Sequence, residues 1–232
     1  MDFPCLHSWN LDRSAAVELQ RELAQQLVLH DRLPQPLTTV AGVDVSCRFG
    51  SKLFHAAIVL FRYPQMELLE TATASLEIDF PYIPGLLSFR ELPVVLQAAR
   101  GLERVPDLLL VDGQGIAHPR RLGLASHLGL WLERPTLGCA KSRLYGEHGE
   151  VGDEKGAQTP LLDSSGQEIG ALLRSRKRIK PLYISPGHRV AVATATQLAL
   201  SCCHKYRLPE PIRAAHAACN RQRLKVETGH SA

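Results

Sequence analysis

The sequence lacks the features typical of secreted disulfide-rich proteins, of proteins held together by structural zinc and of membrane proteins. Its six cysteines have no repeated spacing and no CxxC pair, which argues against a disulfide scaffold or a zinc ribbon. The longest purely apolar run, residues 56–61, is far shorter than the roughly 18 residues that a membrane span needs. The first ten residues contain no basic stretch followed by an apolar one, so we predict no signal peptide. These absences favour a soluble, cytoplasmic protein with reduced thiols and no membrane partner.

The net charge of +4 conceals two regions of opposite sign. Residues 174–225 contain twelve Lys or Arg and a single acid, a local charge of +11, whereas the rest of the chain sums to −7. Such a basic segment favours either a polyanionic partner or a solvated surface, and charge alone does not separate the two. The chain has 232 residues, of which 45% are hydrophobic and 22% charged, so it can bury a globular core without structural metals or disulfides.

The hydrophobic pattern predicts one α/β domain over residues 1–232, with a mixed sheet flanked by helices. Three consecutive strands with short connections indicate an antiparallel meander, and the alternating strands and helices after them indicate parallel pairing. The predicted strands are residues 38–46, 55–61, 67–78, 107–111, 136–140, 168–173 and 181–185. The predicted helices are residues 11–32, 94–103, 120–130, 190–206 and 212–225. Six glycines and little periodicity mark residues 146–170 as a loop or hairpin excursion.

Two aspartates lie at strand positions where burying an unpaired charge costs free energy. Asp44 interrupts an apolar strand and Asp112 ends another, so each carboxylate must be hydrogen-bonded, paired or bound to a metal. Because ligands gather at the carboxyl ends of parallel strands, the position of Asp112 favours a site. Glu91 by itself is better explained as a carboxylate that complements a helix N-terminus. Taken together, the three carboxylates suit a Mg²⁺ ion.

Two segments rich in proline and glycine carry unusual chemistry. In residues 80–93, prolines stiffen the backbone around Tyr82 and Ile83, which could insert between bases, although inward packing is favoured from the residues alone. Residues 112–123 (DGQGIAHPRRLG) combine glycines with His118 and two arginines, a turn able to hold a base or a phosphate. Lys141 follows an apolar strand and could pair with a phosphate, although a surface lysine is the commoner explanation.

Six segments, in order along the chain, resemble endonuclease V. They are VAGVDVS, PYIPGLLSFRELP, LVDGQGIAHPRRLGL, PTLGCAKSRL, SPGHRV and RLPEPIR, at residues 40–46, 81–93, 110–124, 135–144, 185–190 and 207–213. The resemblance implies an RNase H-like fold and a Mg²⁺-dependent DNA repair endonuclease, with Mn²⁺ as a substitute metal. Such an enzyme cuts the second phosphodiester bond 3′ to deoxyinosine and leaves 3′-hydroxyl and 5′-phosphate ends.

The resemblance also implies roles for individual residues. The metal-binding carboxylates would be Asp44, Glu91 and Asp112, with His216 completing the catalytic group and Lys141 beside the scissile phosphate. The strand-separating wedge would be Pro81, Tyr82, Ile83 and Pro84, and the lesion pocket would include Gly85, Gly113 and His118. Gln114 departs from the family pattern, which usually has His or Asn there, so we expect altered lesion or metal contacts with activity retained.

Three alternatives remain open. The first is an inosine-specific endoribonuclease of the same family, with inosine-containing RNA as the partner in place of deoxyinosine DNA. The second is a non-catalytic nucleic-acid-binding module, which the presence of all three carboxylates disfavours. The third is a structural zinc site from Cys202, Cys203, His204, His216 and Cys219, disfavoured because adjacent helical residues point about 100° apart. In each case we expect a monomer.

Overall fold

Eight strands form one mixed sheet in the computed structural model of the chain, which describes residues 1–229; residues 230–232 of the predicted domain lie outside that range. The strands are β1 (Thr39–Cys47), β2 (Leu53–Arg62), β3 (Glu67–Glu77), β4 (Leu108–Val111), β5 (Thr136–Ala140), β6 (Gln158–Leu162), β7 (Glu168–Leu173) and β8 (Leu182–His188). Their order is β3-β2-β1-β4-β5-β8-β7-β6. The β1–β3 meander is antiparallel and β1, β4 and β5 are parallel, so the predicted mixed sheet is confirmed.

Five helices cover the two faces and the rim of this sheet within the described chain. They are α1 (Arg13–Ala24), α2 (Leu87–Arg100), α3 (Leu124–Leu132), α4 (Val192–Ser201) and α5 (Glu210–Glu227). Alternate residues of β4 serve opposite faces, because side chains alternate along a strand. Leu109 and Val111 pack with α2 and α3, whereas Leu108 and Leu110 pack with α4 and α5. A strand buried on both faces explains the uninterrupted apolar run in the sequence.

Two predicted helix boundaries are wrong for identifiable reasons. The first helix ends at Ala24 and not near residue 32, because Val28 pairs through its backbone with His188 and Arg189. The second helix begins at Leu87 and runs through Pro93, whereas the prediction began it after the proline. Proline removes one helical hydrogen bond, but burial of the apolar face of α2 outweighs that loss.

Other boundaries move by smaller amounts. The third helix starts at Leu124 because residues 118–121 form a turn that ends at Arg121, whose φ is +60°. The fourth helix is limited to Val192–Ser201, shorter than predicted, and the fifth extends to Glu210–Glu227. Within the segment 146–170 the chain contributes β6, which pairs with β7 at the end of the sheet.

Gly42 sets how closely α5 approaches β1. A Cβ at this position would lie 1.9 Å from the carbonyl oxygen of Pro211 and 2.7 Å from the nitrogen of Ile212. We predict that Gly42→Ala lowers the free energy of unfolding by about 1–3 kcal/mol, the usual cost of overpacking. Urea denaturation measures this, with Gly149→Ala as the control, since its Cβ would find its nearest atom at 3.8 Å. Equal midpoints for the two variants would contradict the prediction.

Candidate active site

The carboxyl ends of the three parallel strands bring two aspartates and a lysine together. Val43 of β1 faces Val111 of β4, and the amide of Asp112 donates to the Val43 carbonyl at 3.0 Å. Asp44 and Asp112 therefore occupy neighbouring positions just beyond the parallel pairing. Lys141 follows β5 directly, and its ammonium donates to a carboxylate oxygen of Asp112. The side chain of Lys141 is 43% exposed, so Lys141 is both a surface lysine and the ion-pair partner of Asp112.

His216 reaches this site from α5 and is held by a chain of hydrogen bonds. The Asn220 amide nitrogen lies 3.1 Å from Nε2 of His216, and Ser46 donates to the Asn220 oxygen at 2.8 Å. Because the amide donates to Nε2, the proton of the neutral imidazole sits on Nδ1, which donates to Asp44 Oδ2 at 2.7 Å. Sequence reasoning missed Asn220 and Ser46, and the signal that could have found Asn220 is its position four residues after His216 on one helix face.

Burial and neighbouring carboxylates raise the pKa of both Glu91 and Asp44. Burial raises the pKa of Glu91 to about 8, and the nearby charges of Asp44 and Asp112 add to that rise. Burial and the charge of Asp112 likewise raise the pKa of Asp44, against the opposing hydrogen bond from His216. Perturbed carboxylates grouped in this way are typical of functional sites.

A divalent cation fits this arrangement. Among residues 1–229, Asp44, Asp112 and His216 each offer a ligand atom, and these atoms lie within 4.8 Å of one another. Glu91 falls outside that set, although burial and the charges of both aspartates raise its pKa, so its role as a metal ligand stays a prediction. His216 could join a cation only by giving up one of its two hydrogen bonds, to Asp44 or to Asn220. Two carboxylates and an imidazole suit a hard or borderline cation, and its charge would relieve their mutual repulsion.

A pocket of about 370 Å³ adjoins Asp112 and Lys141. Its walls include Tyr82, Ile83 and Pro84 of the predicted wedge, whereas Pro81 is exposed outside it. All three predicted lesion-pocket residues, Gly85, Gly113 and His118, line it as well. Tyr82 is 66% exposed, so the inward packing favoured from the residues alone is wrong for Tyr82. Ile83 does pack against the buried cluster beside α1 and α2.

The carbonyl of Gly85 anchors the wedge loop to the pocket. It accepts hydrogen bonds from Gln20 at 3.0 Å, His118 Nε2 at 3.0 Å and Arg120 at 2.8 Å. Gly85 has φ +80°, which favours glycine, and a Cβ there would lie 2.7 Å from the end of the Arg120 side chain that donates to this carbonyl. Sequence reasoning missed Gln20, which lies on a separate helix.

His118 acts here as a neutral clamp. Burial and the charge of Arg120 lower the pKa of His118 to about 4. Its Nδ1 accepts from the Arg120 amide at 3.1 Å, so Nε2 carries the proton that it donates to Gly85. Both ring nitrogens are therefore engaged within the protein, and His118 shapes the pocket wall.

Gln114, the residue that departs from the family pattern, lies in the same pocket wall. Its amide nitrogen donates to the Ser142 carbonyl at 3.0 Å, while its Oε1 is buried with no hydrogen-bond partner among residues 1–229. The side chain thus ties the turn after β4 to the segment after β5 and leaves one acceptor unused.

The cysteines of the zinc alternative are buried thiols. Cys203 donates to the Ala199 carbonyl at 3.2 Å and Cys219 to the His216 carbonyl at 3.3 Å. Burial raises the pKa of Cys202, Cys203 and Cys219 to about 12, so these thiols stay protonated at neutral pH. Among residues 1–229, the group of three or more potential ligands close enough to share an ion is Asp44, Asp112 and His216, and it contains none of these thiols.

Many basic residues of the segment 174–225 make contacts inside the protein. Arg207 donates to the carbonyls of Lys141 and Pro181, Arg213 pairs with Glu210, and Arg189 pairs with Glu133. Arg174 donates to three carbonyls, at 2.7 to 3.0 Å. The basic charge of this segment is therefore partly structural.

Within residues 1–229, every helix is too short or too polar to cross a bilayer.

Comparisons with known proteins agree with this geometry. The sequence profile described as Endonuclease V matches residues 21–217. Endonuclease V of Dehalococcoides mccartyi is 49% identical over 213 residues, which cover 92% of this chain and 95% of that protein.

Solved structures show the same relationship. Endonuclease V of Streptomyces avermitilis superposes with a TM-score of 0.90 at 38% identity, over 95% of this chain and 96% of that chain. Endonuclease V of Ciona intestinalis, in complex with a 23mer DNA containing an inosine followed by a ribo-adenosine, gives a TM-score of 0.80 at 25% identity, over 92% of this chain and 97% of that chain. The predicted RNase H-like fold and nuclease class are thereby confirmed. The chain belongs to the endonuclease V family.

Proposed function

We propose that the chain is a Mg²⁺-dependent endonuclease that recognises deoxyinosine in DNA and hydrolyses the second phosphodiester bond 3′ to it. The observation that carries the proposal is the shared wall between two sites. Asp112 and Lys141 line the pocket of about 370 Å³ and also belong to the carboxylate site. A base everted into that pocket would leave its strand running past the carboxylates. The inosine-containing DNA bound to the Ciona intestinalis relative supports this substrate class.

The residues have separable tasks in this mechanism. Tyr82 is exposed at the rim and can fill the space that an everted base leaves, while the anchored Gly85 loop forms the wall that the base meets. Asp44 and Asp112 would hold Mg²⁺, which when bound supplies Lewis-acid activation of water and neutralises the leaving oxygen. Lys141 can move from Asp112 to a phosphate oxygen, since its side chain is partly exposed. His216 holds its proton on Nδ1 toward Asp44.

Base pairing contributes to selectivity before any protein contact forms. An inosine pair is weaker than a normal pair, so eversion of hypoxanthine costs less than eversion of adenine. The apolar lining of the pocket, which includes Ile83, Leu122 and Leu124, accepts the face of a purine of either sugar type. An inosine-containing RNA strand therefore remains the second candidate substrate.

Parallel nicking assays test the proposal. Matched strands carrying deoxyinosine in DNA, inosine in RNA or deoxyadenosine are incubated with Mg²⁺, with Mn²⁺ or with chelator, and products are sized at single-nucleotide resolution. We expect either metal to support nicking of the deoxyinosine strand. The cut should fall at the second phosphodiester bond 3′ to the lesion and leave a 3′-hydroxyl end. Faster cutting of the RNA strand would favour the endoribonuclease, and binding without nicking would refute the enzyme.

Tyr82→Ala is expected to weaken lesion recognition without affecting metal binding. Aromatic stacking on a base contributes about 1–3 kcal/mol, so the preference for deoxyinosine over deoxyadenosine should fall roughly tenfold. Tyr82→Phe, which keeps the ring, should retain the wild-type preference. Competition binding between the two strands measures the effect, and an unchanged preference in Tyr82→Ala would argue against the wedge.

A further inference from the structure

A second groove borders the wedge beside the pocket of about 370 Å³ that holds the predicted lesion-pocket residues, which we name the base pocket. Its volume is about 530 Å³, and we name it the hairpin groove; its lining residues are Cys47, Arg48, Phe49, Gly50, Phe54, Tyr82, Leu87, Arg90 and Glu91. Tyr82 and Leu87 line both the hairpin groove and the base pocket. The exposed Tyr82 therefore borders both concave surfaces.

The tip of the β1–β2 hairpin presents a free aromatic ring to this groove. Phe49 is 104% exposed. Phe54, five residues later, is only 4% exposed and lies in the core. A fully exposed phenylalanine gains nothing from burial in the folded chain, and exposed apolar groups beside a cleft are typical of binding surfaces. Phe49 therefore has no role in packing and is placed to contact a ligand in the groove.

Two arginines and one acid, Glu91, line the hairpin groove, so its formal charge is positive. Arg48 is adjacent to Phe49 and exposed. The guanidinium of Arg90 lies 4.9 Å from the Phe54 ring centre and 6.0 Å from that of Tyr82, and its Nε is buried without a hydrogen-bond partner among residues 1–229. Aromatic rings interleaved with arginines form the surfaces on which unpaired bases stack, because the rings meet base faces and the cations meet phosphates.

We propose that the hairpin groove binds the orphaned base of the complementary strand, the base that faces the lesion in the duplex, with Phe49 as its stacking platform. This inference rests on the proposed function. When the lesion enters the base pocket, its partner loses its hydrogen bonds, and the wedge at Tyr82 separates it from the lesion strand. The hairpin groove is a concave, basic and aromatic surface that borders the same wedge. Arg48 contacts the complementary-strand phosphate next to the stacked base.

Comparison of duplex and single-stranded substrates isolates this role. We expect Phe49→Ala to lower kcat/KM for nicking a deoxyinosine duplex about tenfold, the value of one base stack, and to leave nicking of the single strand unchanged. Phe49→Trp keeps a ring and should retain duplex activity. Leu68→Ala is the matched control, because Leu68 is a 58% exposed apolar residue at the opposite end of the meander.

An abasic site opposite the lesion completes the test. If Phe49 stacks on the opposing base, Phe49→Ala and wild-type protein should nick that duplex at equal rates, since the contact is absent from both. Equal losses on duplex and single strand would overturn the proposal and assign the stacked base to the cleaved strand. No loss on the duplex would also overturn it. Wild-type protein that nicks neither substrate would contradict the proposed function itself, so the two failures are distinguishable.

Discussion

Asp44→Ala is expected to lower the rate of nicking at deoxyinosine by at least about 100-fold, the scale set by loss of one key electrostatic group in an active site. This change removes the contacts of the Asp44 carboxylate with the proposed cation, the Nδ1 proton of His216, the thiol of Cys219 and the amide of Val45. Asp112→Ala should have an effect of similar size. It also frees Lys141 from its ion pair, which leaves an ammonium beside the pocket.

Binding of the lesion strand should survive Asp44→Ala. The base pocket is formed by the Gly85 loop and the turn after β4, and Asp44 does not line it within the described chain. Removal of a negative charge near a phosphate backbone also reduces repulsion. Single-turnover nicking and fluorescence anisotropy on the same deoxyinosine strand separate the two steps. Glu67→Ala is the matched control, since Glu67 is an exposed acid at the far end of the meander. Robust cutting by Asp44→Ala would refute its assignment.

The sequence predicted that Asp44 and Asp112 lie close together because two arguments agree: each acid lies beside apolar strand residues, and the strands pair in parallel. Asp44 and Asp112 each stand among apolar strand residues, and parallel pairing forces the ends of their strands to one edge. The same rule places Lys141 after β5, but no property of an isolated lysine distinguishes an ion pair with Asp112 from solvent exposure. That distinction needs the register of β4 against β5.

Contacts between distant segments could not be predicted from the residues. His216 and Asp44 are 172 positions apart, and the approach of α5 to β1 depends on a close backbone contact at Gly42. Gln20 reaches Gly85 from a helix with an ordinary amphipathic pattern. The basic segment was also only partly interpretable, because Arg174 and Arg207 resemble any other surface arginine until their carbonyl partners are seen.

The raised pKa of Glu91 predicts that the free energy of unfolding falls as pH rises in metal-free protein, and that a bound cation opposes this fall. An unfolded Glu91 ionises near 4.5, whereas the folded protein keeps its proton until about pH 8. The unfolded chain therefore releases this proton first, so the contribution of Glu91 to the free energy of unfolding is full below pH 4.5 and is lost as pH rises through 8. The raised pKa of Asp44 acts with the same sign. The lowered pKa values of His118 and His188, both about 4, act with the opposite sign up to pH 6.5, so we expect the melting temperature of metal-free protein to fall between pH 6.5 and 8.

A divalent cation should reverse that trend, because its positive charge stabilises the ionised form of the buried Glu91 carboxyl and of the two aspartates beside it. One released proton makes apparent metal affinity rise up to about tenfold per pH unit below pH 8. Calorimetric Mg²⁺ titrations and thermal unfolding at several pH values measure both effects. Glu91→Gln keeps the shape of the side chain without its titration, so it should flatten the affinity slope and raise the melting temperature of metal-free protein at pH 8.5. Glu67→Gln should leave both pH profiles as in wild type, and a Glu91→Gln profile identical to wild type would show that other groups carry the coupling.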